Sequence, residues 1–148
     1  MSTKIFPTAQ DAQNAFYEAL ERNDLEAMMT VWSEDEDIVC VHPAGQRLAG
    51  QAAVREVWRQ MFANSPSMRV RITEQVVVAG VMLEVHSVHE NISIAGEQRP
   101  RPPMVATNVY LRTAAGWRMV AHHASPAPAP APGAAAAAPP PATPKILH

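Results

Sequence analysis

The composition of this chain of 148 residues already excludes several classes of protein. The single cysteine, Cys40, excludes an internal disulfide and a cysteine-based metal site. Lys145 is the only charged side chain after residue 124, so residues 1–124 carry 11 basic and 14 acidic side chains, which is not the charge balance of a nucleic-acid-binding protein. Because the N-terminus lacks the apolar run of a signal peptide and no segment is long enough to span a membrane, we expect a soluble cytoplasmic protein without a membrane partner.

Three helices are predicted in the first half of the chain. Thr8 is a typical N-cap, and Ala9, Phe16 and Leu20 then fall on one apolar face. Asn23 is a typical helix stop, and Asp24 starts a second helix. Its apolar stripe consists of Leu25, Met28, Met29 and Trp32. Residues 51–64 form the third helix, which follows Gly50 and ends before Pro66.

Strands follow, and their order defines the fold class. Residues 38–41 form a short, continuously apolar strand, and long strands are predicted over 68–78 and 81–94. Residues 97–103 are broken by proline, and residues 104–125 form a hairpin around the turn at 113–116. Helices on one face of a meandering antiparallel sheet indicate an α+β fold with an apolar pocket between the layers. We therefore predict a flexible N-terminus (1–7), one domain (8–124) and a disordered Ala/Pro-rich tail (125–148).

Several polar residues in apolar elements are candidates for chemistry. His42 stands where a buried strand ends, and there it can act as a general base or simply be a satisfied rim histidine. Asn108 lies mid-strand, where a buried amide donates either to a ligand or within the sheet. His122 and His123 point to opposite faces. If the hairpin pairs Arg112 with Trp117, His123 shares the inner face with Asn108, and a shift of one residue reverses this assignment.

The third strand carries a second polar group. Glu84, His86 and Glu90 share one face, because even numbers of residues separate their positions. A metal site is conceivable there, but a solvated or interface face is more typical of such a pattern. We predict no metal and no cofactor.

Three stretches carry a family resemblance. They are FYEALERNDLEAMMTVWSEDEDIVCVHPAG, LAGQAAVREVWRQMF and ATNVYLRTAAGWRMVAHHAS. Over residues 8–125 they resemble the SnoaL-like, ketosteroid-isomerase-like branch of the nuclear transport factor 2-like superfamily, and the final hairpin also resembles the association domain of calmodulin-dependent kinases. The resemblance implies a cone of three helices packed on a strongly curved, mainly antiparallel sheet. It also implies a homodimer formed through the outer sheet face.

The same resemblance suggests roles for particular residues. His42 falls where ketosteroid isomerases place their carboxylate base, Asn108 falls near their acidic oxyanion donor, and Phe16 replaces their tyrosine. This set departs from the isomerase pattern at all three positions. A histidine base with an asparagine donor still implies proton transfer next to a carbonyl, as in cyclase-like relatives.

Two functions fit these residues. The first is a pocket that binds a small hydrophobic, carbonyl-bearing molecule, with His42, Asn108 and His123 as catalytic residues of a cofactor-independent isomerase-like or cyclase-like enzyme. The residues predicted to line the pocket are Phe16, Tyr17, Trp32, Trp58, Trp117 and Met119. The second is a non-catalytic homodimeric association or ligand-sensing module. A cone filled by Trp and Met side chains, with no room for a ligand, favours the second.

Overall fold

The computed structural model describes residues 4–128 of the chain. The predicted tail therefore lies outside the described residues from position 129 onward. The last strand continues to Pro126, two residues into the predicted tail. Near the other end, Phe6 is buried and forms an isolated parallel bridge with Gly116.

The three helices are confirmed, and local capping explains their ends. Helix α1 (Ala9–Arg22) begins after Thr8, whose side-chain oxygen accepts a hydrogen bond from the Asp11 N–H. Asn23 ends it in the left-handed conformation, which asparagine tolerates better than most residues. Asp24 then caps α2 (Leu25–Val31), and α3 (Gln51–Asn64) follows Gly50. No helix within residues 4–128 is long and apolar enough to cross a membrane.

Six strands form one sheet, and the predicted α+β class is confirmed. The strands are β1 (Val39–Val41), β2 (Leu48–Ala49), β3 (Met68–Ala79), β4 (Leu83–Ile94), β5 (Met104–Thr113) and β6 (Gly116–Pro126). Their order is β2-β1-β6-β5-β4-β3, and only the β1–β6 pairing is parallel. The two-residue strand β2 was not predicted, because so short a segment carries no periodic pattern.

The register of the β5–β6 hairpin corrects one prediction. Arg112 does pair with Trp117, but Val109 pairs with Ala121 while Tyr110 pairs with Met119, so Val120 is an extra residue in β6. Such a bulge shifts the register by one. His122 therefore lies opposite Asn108 on the inner face, and His123 is exposed on the outer face. The prediction that His123 faces inward with Asn108 is wrong.

The main core fills the space between the helices and the inner face of the sheet. Phe16, Met28, Trp32, Trp58 and Met119 are at most 1% exposed there. Aromatic and thioether side chains of this size fill irregular space well. Polar side chains from the central strands lie beside this core, and they form the candidate site.

Candidate functional site

A row of polar side chains crosses the inner face of the sheet. His86 on β4 pairs in register with Asn108 on β5, and Asn108 pairs with His122 on β6. All three are buried, with exposed fractions of 3% or less. Helix α1 covers the row and adds Gln13 and Tyr17, which are four residues apart and therefore lie on one helix face. The site thus combines three adjacent strands with one helix.

Asn108 is the centre of this polar cluster. Its amide nitrogen donates to the hydroxyl of Tyr17 at 2.9 Å and to Oε1 of Gln13 at 3.2 Å. Its carbonyl oxygen lies 2.6 Å from Nδ1 of His122. Both amide hydrogens and the oxygen are therefore engaged within the protein, so a ligand carbonyl would have to displace Tyr17 or Gln13 to reach Asn108.

Two carboxylates extend the cluster. Tyr17 donates to Oε2 of Glu90 at 2.6 Å, and Glu90 is 4% exposed. Burial raises the pKa of the Glu90 carboxyl, although the Tyr17 hydrogen bond opposes that shift. His86 lies between Gln13 Oε1, at 2.9 Å from Nδ1, and Glu84 Oε2, at 2.6 Å from Nε2. Both ring nitrogens of His86 therefore face side-chain acceptors.

The cluster fixes the tautomer of His122. Asn108 presents its oxygen to Nδ1 of His122, so Nδ1 carries the proton and Nε2 carries the lone pair. Burial, together with the nearby His42 and His123, lowers the pKa of His122 to about 3. His122 is therefore a neutral imidazole at physiological pH, oriented by Asn108.

His42 lies beside this cluster and does not join it through a hydrogen bond. Its ring centre is 6.2 Å from that of His122 and 4.5 Å from that of Trp58. Its Nε2 is 3.5 Å from Sγ of Cys40. Burial lowers the pKa of His42 and raises that of the Cys40 thiol to about 12, so the pair consists of a neutral imidazole and a protonated thiol. This is not the arrangement of an activated thiolate.

Four cavities show where a small molecule has room. One of about 370 Å³ lies between α1 and β3 and touches the polar cluster through Gln13 and Tyr17. None of the four, all formed by residues 4–128, is lined by His42, Asn108 or His122. Of the residues predicted to line a pocket, Tyr17 lines this cavity. The others lie in the core or packed against it: Phe16, Trp32, Trp58, Trp117 and Met119.

The polar cluster contains residues that the sequence analysis missed or assigned to the wrong environment. Glu84, His86 and Glu90 were expected on a solvated or interface face, but His86 and Glu90 are buried on the inner face. The signal was present in β4, because Val88, Ile92 and Ile94 share the alternation of His86 and Glu90 and belong to the core or pack against it. Gln13 carried no signal beyond its place on the apolar side of α1.

Comparison with known proteins identifies the family. A model of the SnoaL-like domain matches residues 10–130. The chain belongs to the SnoaL-like domain family. This confirms the predicted resemblance, and membership of the family supports the general description of a protein with a small-molecule pocket. No relative was found among curated proteins.

Solved structures that are similar to this chain are described as association domains and as an enzyme. A protein from Thiobacillus denitrificans assigned as a calcium/calmodulin-dependent protein kinase type II association domain is 42% identical, with a TM-score of 0.81 over 84% of this chain and 99% of that chain. A protein from Streptomyces avermitilis assigned as a dehydratase of the NTF2-like family is 33% identical, with a TM-score of 0.73 over 80% and 92%. The CaMKII hub of S. rosetta, at 22% identity, a TM-score of 0.65 and coverage of 80% and 93%, shares the fold.

Proposed function

We propose that this SnoaL-like domain associates with a second copy of itself through the outer face of its sheet, and that its cavity binds a small molecule. An apolar row on the outer face carries the first part of the proposal. Five residues pair in register across five strands: Val39, Ala121, Val109, Val85 and Val78. Paired residues of a sheet project from the same face, so the row is continuous.

The exposure of this row points to a covering partner. Val78 is 45% exposed, and the other four residues are half-buried. The row continues into the end of the β3–β4 hairpin, where further apolar side chains are 47% to 77% exposed: Val76, Val81, Met82 and Leu83. Covering apolar surface is worth roughly 25 cal/mol per Å². A contiguous apolar area of this kind is typical of an interaction surface.

A second copy is the occupant that the row fits best. A two-fold contact places the same surface on both subunits, and an apolar row is complementary to itself. The relative from Thiobacillus denitrificans, which is described as an association domain, adds support because 99% of its length aligns with this chain. The inner face is covered by the helices, which leaves the outer face for association.

The molecular mass in solution tests this part. We expect the full chain to have the mass of at least two chains by light scattering coupled to size-exclusion chromatography. Val109→Glu places a charge in the middle of the row and should give a monomer. Ala52→Glu, on the exposed side of α3, is the matched control and should keep the mass of the unmodified protein. A monomeric unmodified chain, or a Val109→Glu variant of unchanged mass, would refute the proposed interface.

The second part of the proposal places the small molecule in the cavity between α1 and β3. Its lining includes the amides of Gln10, Gln13, Asn14 and Gln75, together with Val70 and Ile72. Gln13 and Gln75 are hydrogen-bonded to each other at 2.7 Å, and Gln13 connects the cavity to the buried cluster. Such a lining offers both donors and acceptors, which suits a carbonyl-bearing molecule with a small apolar part.

Nuclear magnetic resonance can test binding there with a simple probe. Titration with 2-pyrrolidinone, which has one carbonyl and one N–H, should shift the side-chain amide signals of Gln13 and Gln75. The amide of Gln60, on the exposed side of α3, is the internal control and should not move. Equal shifts of all three amides, or no shift at millimolar probe, would argue against this site.

Catalysis by His42 is a separate part of the proposal, because His42 does not line the cavity between α1 and β3. His42 is supported as a base by its neutral, lone-pair-bearing state. Asn108 was predicted to be the donor, but within residues 4–128 its amide is fully engaged, whereas the buried indole N–H of Trp58 beside His42 has no hydrogen-bond partner. Exchange of the α-hydrogens of cyclohexanone in heavy water tests proton transfer. A catalytic His42 predicts faster exchange with the protein than with buffer, and loss of that increase in His42→Ala. Equal rates with protein and buffer would remove the catalytic role.

A further inference from the structure

A cleft of about 490 Å³ at the free edge of the sheet is lined by arginines. Strand β3 ends the strand order, and Arg69 and Arg71 project from the same side of it because they are two residues apart. Arg101 enters the cleft from the segment between β4 and β5. This cleft is separate from the apolar row, since Arg71 lies seven residues before Val78 on the same strand, a distance of roughly 23 Å.

The arginines differ in how they are held. Arg101 is fixed by Glu97, with Nε 2.8 Å from Oε1 and Nη2 2.7 Å from Oε2. Arg69 and Arg71 are exposed and form no ion pair with any of residues 4–128. Two unpaired guanidinium groups on neighbouring positions of one strand face repel each other. An anion between them would remove that repulsion.

The charge of the cleft indicates the charge of its ligand. Arg69, Arg71 and Arg101 line it, and Arg99 lies two residues from Arg101 in the same segment. Glu21 lines it as well, and Glu97 is bonded to Arg101. Four positive and two negative side chains leave a net charge of +2, which matches the charge of a phosphate monoester near neutral pH.

The remaining lining residues suggest an organic phosphate. Pro100 provides apolar surface in the cleft, whereas Val70 and Ile92 alternate with the arginines and with Asn91 and Ser93 and pack against the core on the other face. Ser93, which pairs with Arg69 in register, provides a hydroxyl, and Asn91, which pairs with Arg71, has its amide nitrogen fixed by Arg71 O at 3.0 Å and Thr73 Oγ1 at 2.8 Å. The carbonyl oxygen of Asn91 then remains as an acceptor. A guanidinium group can bind two phosphate oxygens at once. Hydroxyl and amide groups suit a ligand that carries several hydroxyl groups.

We propose that the Arg69–Arg71–Arg101 cleft binds a small organic phosphate such as a sugar phosphate. The guanidinium groups of Arg69 and Arg71 bind the phosphate from the strand, and Arg101 binds it from the other side. Ser93 and Asn91 contact the hydroxyl-bearing body. The site lies on the same face of the sheet as the apolar row but at the other end of β3, and it borders the cavity between α1 and β3, with which it shares Glu21 and Val70.

Calorimetric titration of the full chain tests this site with three probes: glucose 6-phosphate, inorganic phosphate and glucose. We expect glucose 6-phosphate to bind more tightly than inorganic phosphate, and glucose not to bind. Arg69→Gln and Arg71→Gln should each weaken binding by about tenfold or more, the usual effect of losing a charge-assisted hydrogen bond. Arg47→Gln removes an exposed arginine from a loop outside the cleft and is the matched control, with unchanged affinity expected.

Three results would overturn the proposal. The absence of heat with both phosphates would mean that the arginines only protect a free sheet edge from pairing. Equal affinity for inorganic phosphate and glucose 6-phosphate would show that the sugar does not contribute to binding. Equal losses of affinity in Arg71→Gln and Arg47→Gln would show that the phosphate binds outside the cleft. The mass of each variant, measured in parallel, should stay that of the unmodified protein, so a failure here is distinguishable from a failure of the outer-face interface.

Discussion

The two faces of the sheet carry opposite chemistry at neighbouring positions of the same strands. On β5, Asn108 faces inward and is hydrogen-bonded on all sides, while Val109 faces outward without a covering element. Strand β6 repeats this pattern with His122 inward and Ala121 outward. A sheet that only had to fold as a monomer would have the reverse pattern. Burial by the helices accounts for the polar cluster on the inner face, and the apolar row on the outer face is the pattern expected if the proposed second copy covers it.

The inner polar cluster is costly unless every member is paired. A buried amide or imidazole that loses its partner retains the full cost of desolvation, whereas a complete cluster is self-consistent. Asn108 makes the connections between Tyr17, Gln13 and His122. The cluster therefore holds these side chains in one arrangement. It contributes more to conformational specificity than to the free energy of unfolding.

The largest effect is expected from removing the centre of the cluster. Asn108→Leu leaves the Nδ1–H of His122 without its buried acceptor, removes one donor each from Tyr17 and Gln13, and should lower the free energy of unfolding by about 3–5 kcal/mol. Thr107→Val, at the adjacent outward position, should change it by less than about 0.5 kcal/mol. Urea denaturation measures both variants. Similar values for the two would mean that the cluster is not a structural unit.

The pH dependence of stability should be the next largest effect. His122 has a pKa of about 3 in the folded protein against 6.5 as the ordinary value, so the unfolded chain binds the extra proton between these pH values and stability falls as the pH falls. From pH 7 to pH 5 this loss is about 2 kcal/mol. Glu90, whose pKa is raised, acts in the opposite direction just above pH 4.5.

Substitution of the neighbouring residue His123 is the control for the pH dependence attributed to His122. In His122→Gln the loss of stability between pH 7 and pH 5 should be much smaller, because the amide can still donate to Asn108 and does not titrate. His123→Gln changes an exposed side chain on the outer face and should keep the pH dependence of the unmodified protein. If instead His123→Gln reduced the pH dependence and His122→Gln kept it, His123 would lie on the inner face and β6 would have no bulge at Val120.

A smaller effect is expected from removing the buried charge alone. Glu90→Gln keeps an acceptor for the Tyr17 hydroxyl while it removes a carboxylate whose pKa burial raises. The variant should be as stable as the unmodified protein or more stable by about 1 kcal/mol at pH 8. Thermal unfolding at pH 8 measures this. A clear loss of stability would show that the charge itself is needed.

The smallest effect on folding should come from the outer face. Val85→Thr replaces a half-buried methyl by a hydroxyl and should change the unfolding of a single chain by about 0.5 kcal/mol or less. In a two-fold contact the change occurs twice, so the dissociation constant should rise by about tenfold. Sedimentation velocity over a dilution series measures the second quantity. An unchanged dissociation constant would place the interface elsewhere.

Much of the fold was predictable because its signals are local. Thr8, Asn23 and Asp24 fix helix ends through hydrogen bonds and dihedral preferences of neighbouring residues. The bulge at Val120 was not predictable, because it arises from the pairing of β6 with two other strands, and a single extra residue exchanges the faces of His122 and His123. A tertiary feature therefore decided which histidine joins the candidate site.

The candidate site was predictable only in part for a related reason. Asn108 and His42 stood out because polar residues in apolar strands are unusual, but their surroundings depend on side chains that are distant in sequence. Gln13 is 95 residues from Asn108, and Trp58 packs against His42. Whether a cavity opens next to a polar group depends on how such side chains fill the space.

Mixing two variants of opposite charge tests the outer-face interface most directly. Val109→Glu and Val109→Lys should each be monomeric alone, because like charges meet across the proposed two-fold interface. An equimolar mixture should regain the mass of two chains by light scattering, since opposite charges then face each other. A mixture that stays monomeric, while the unmodified protein associates, would contradict association through this face.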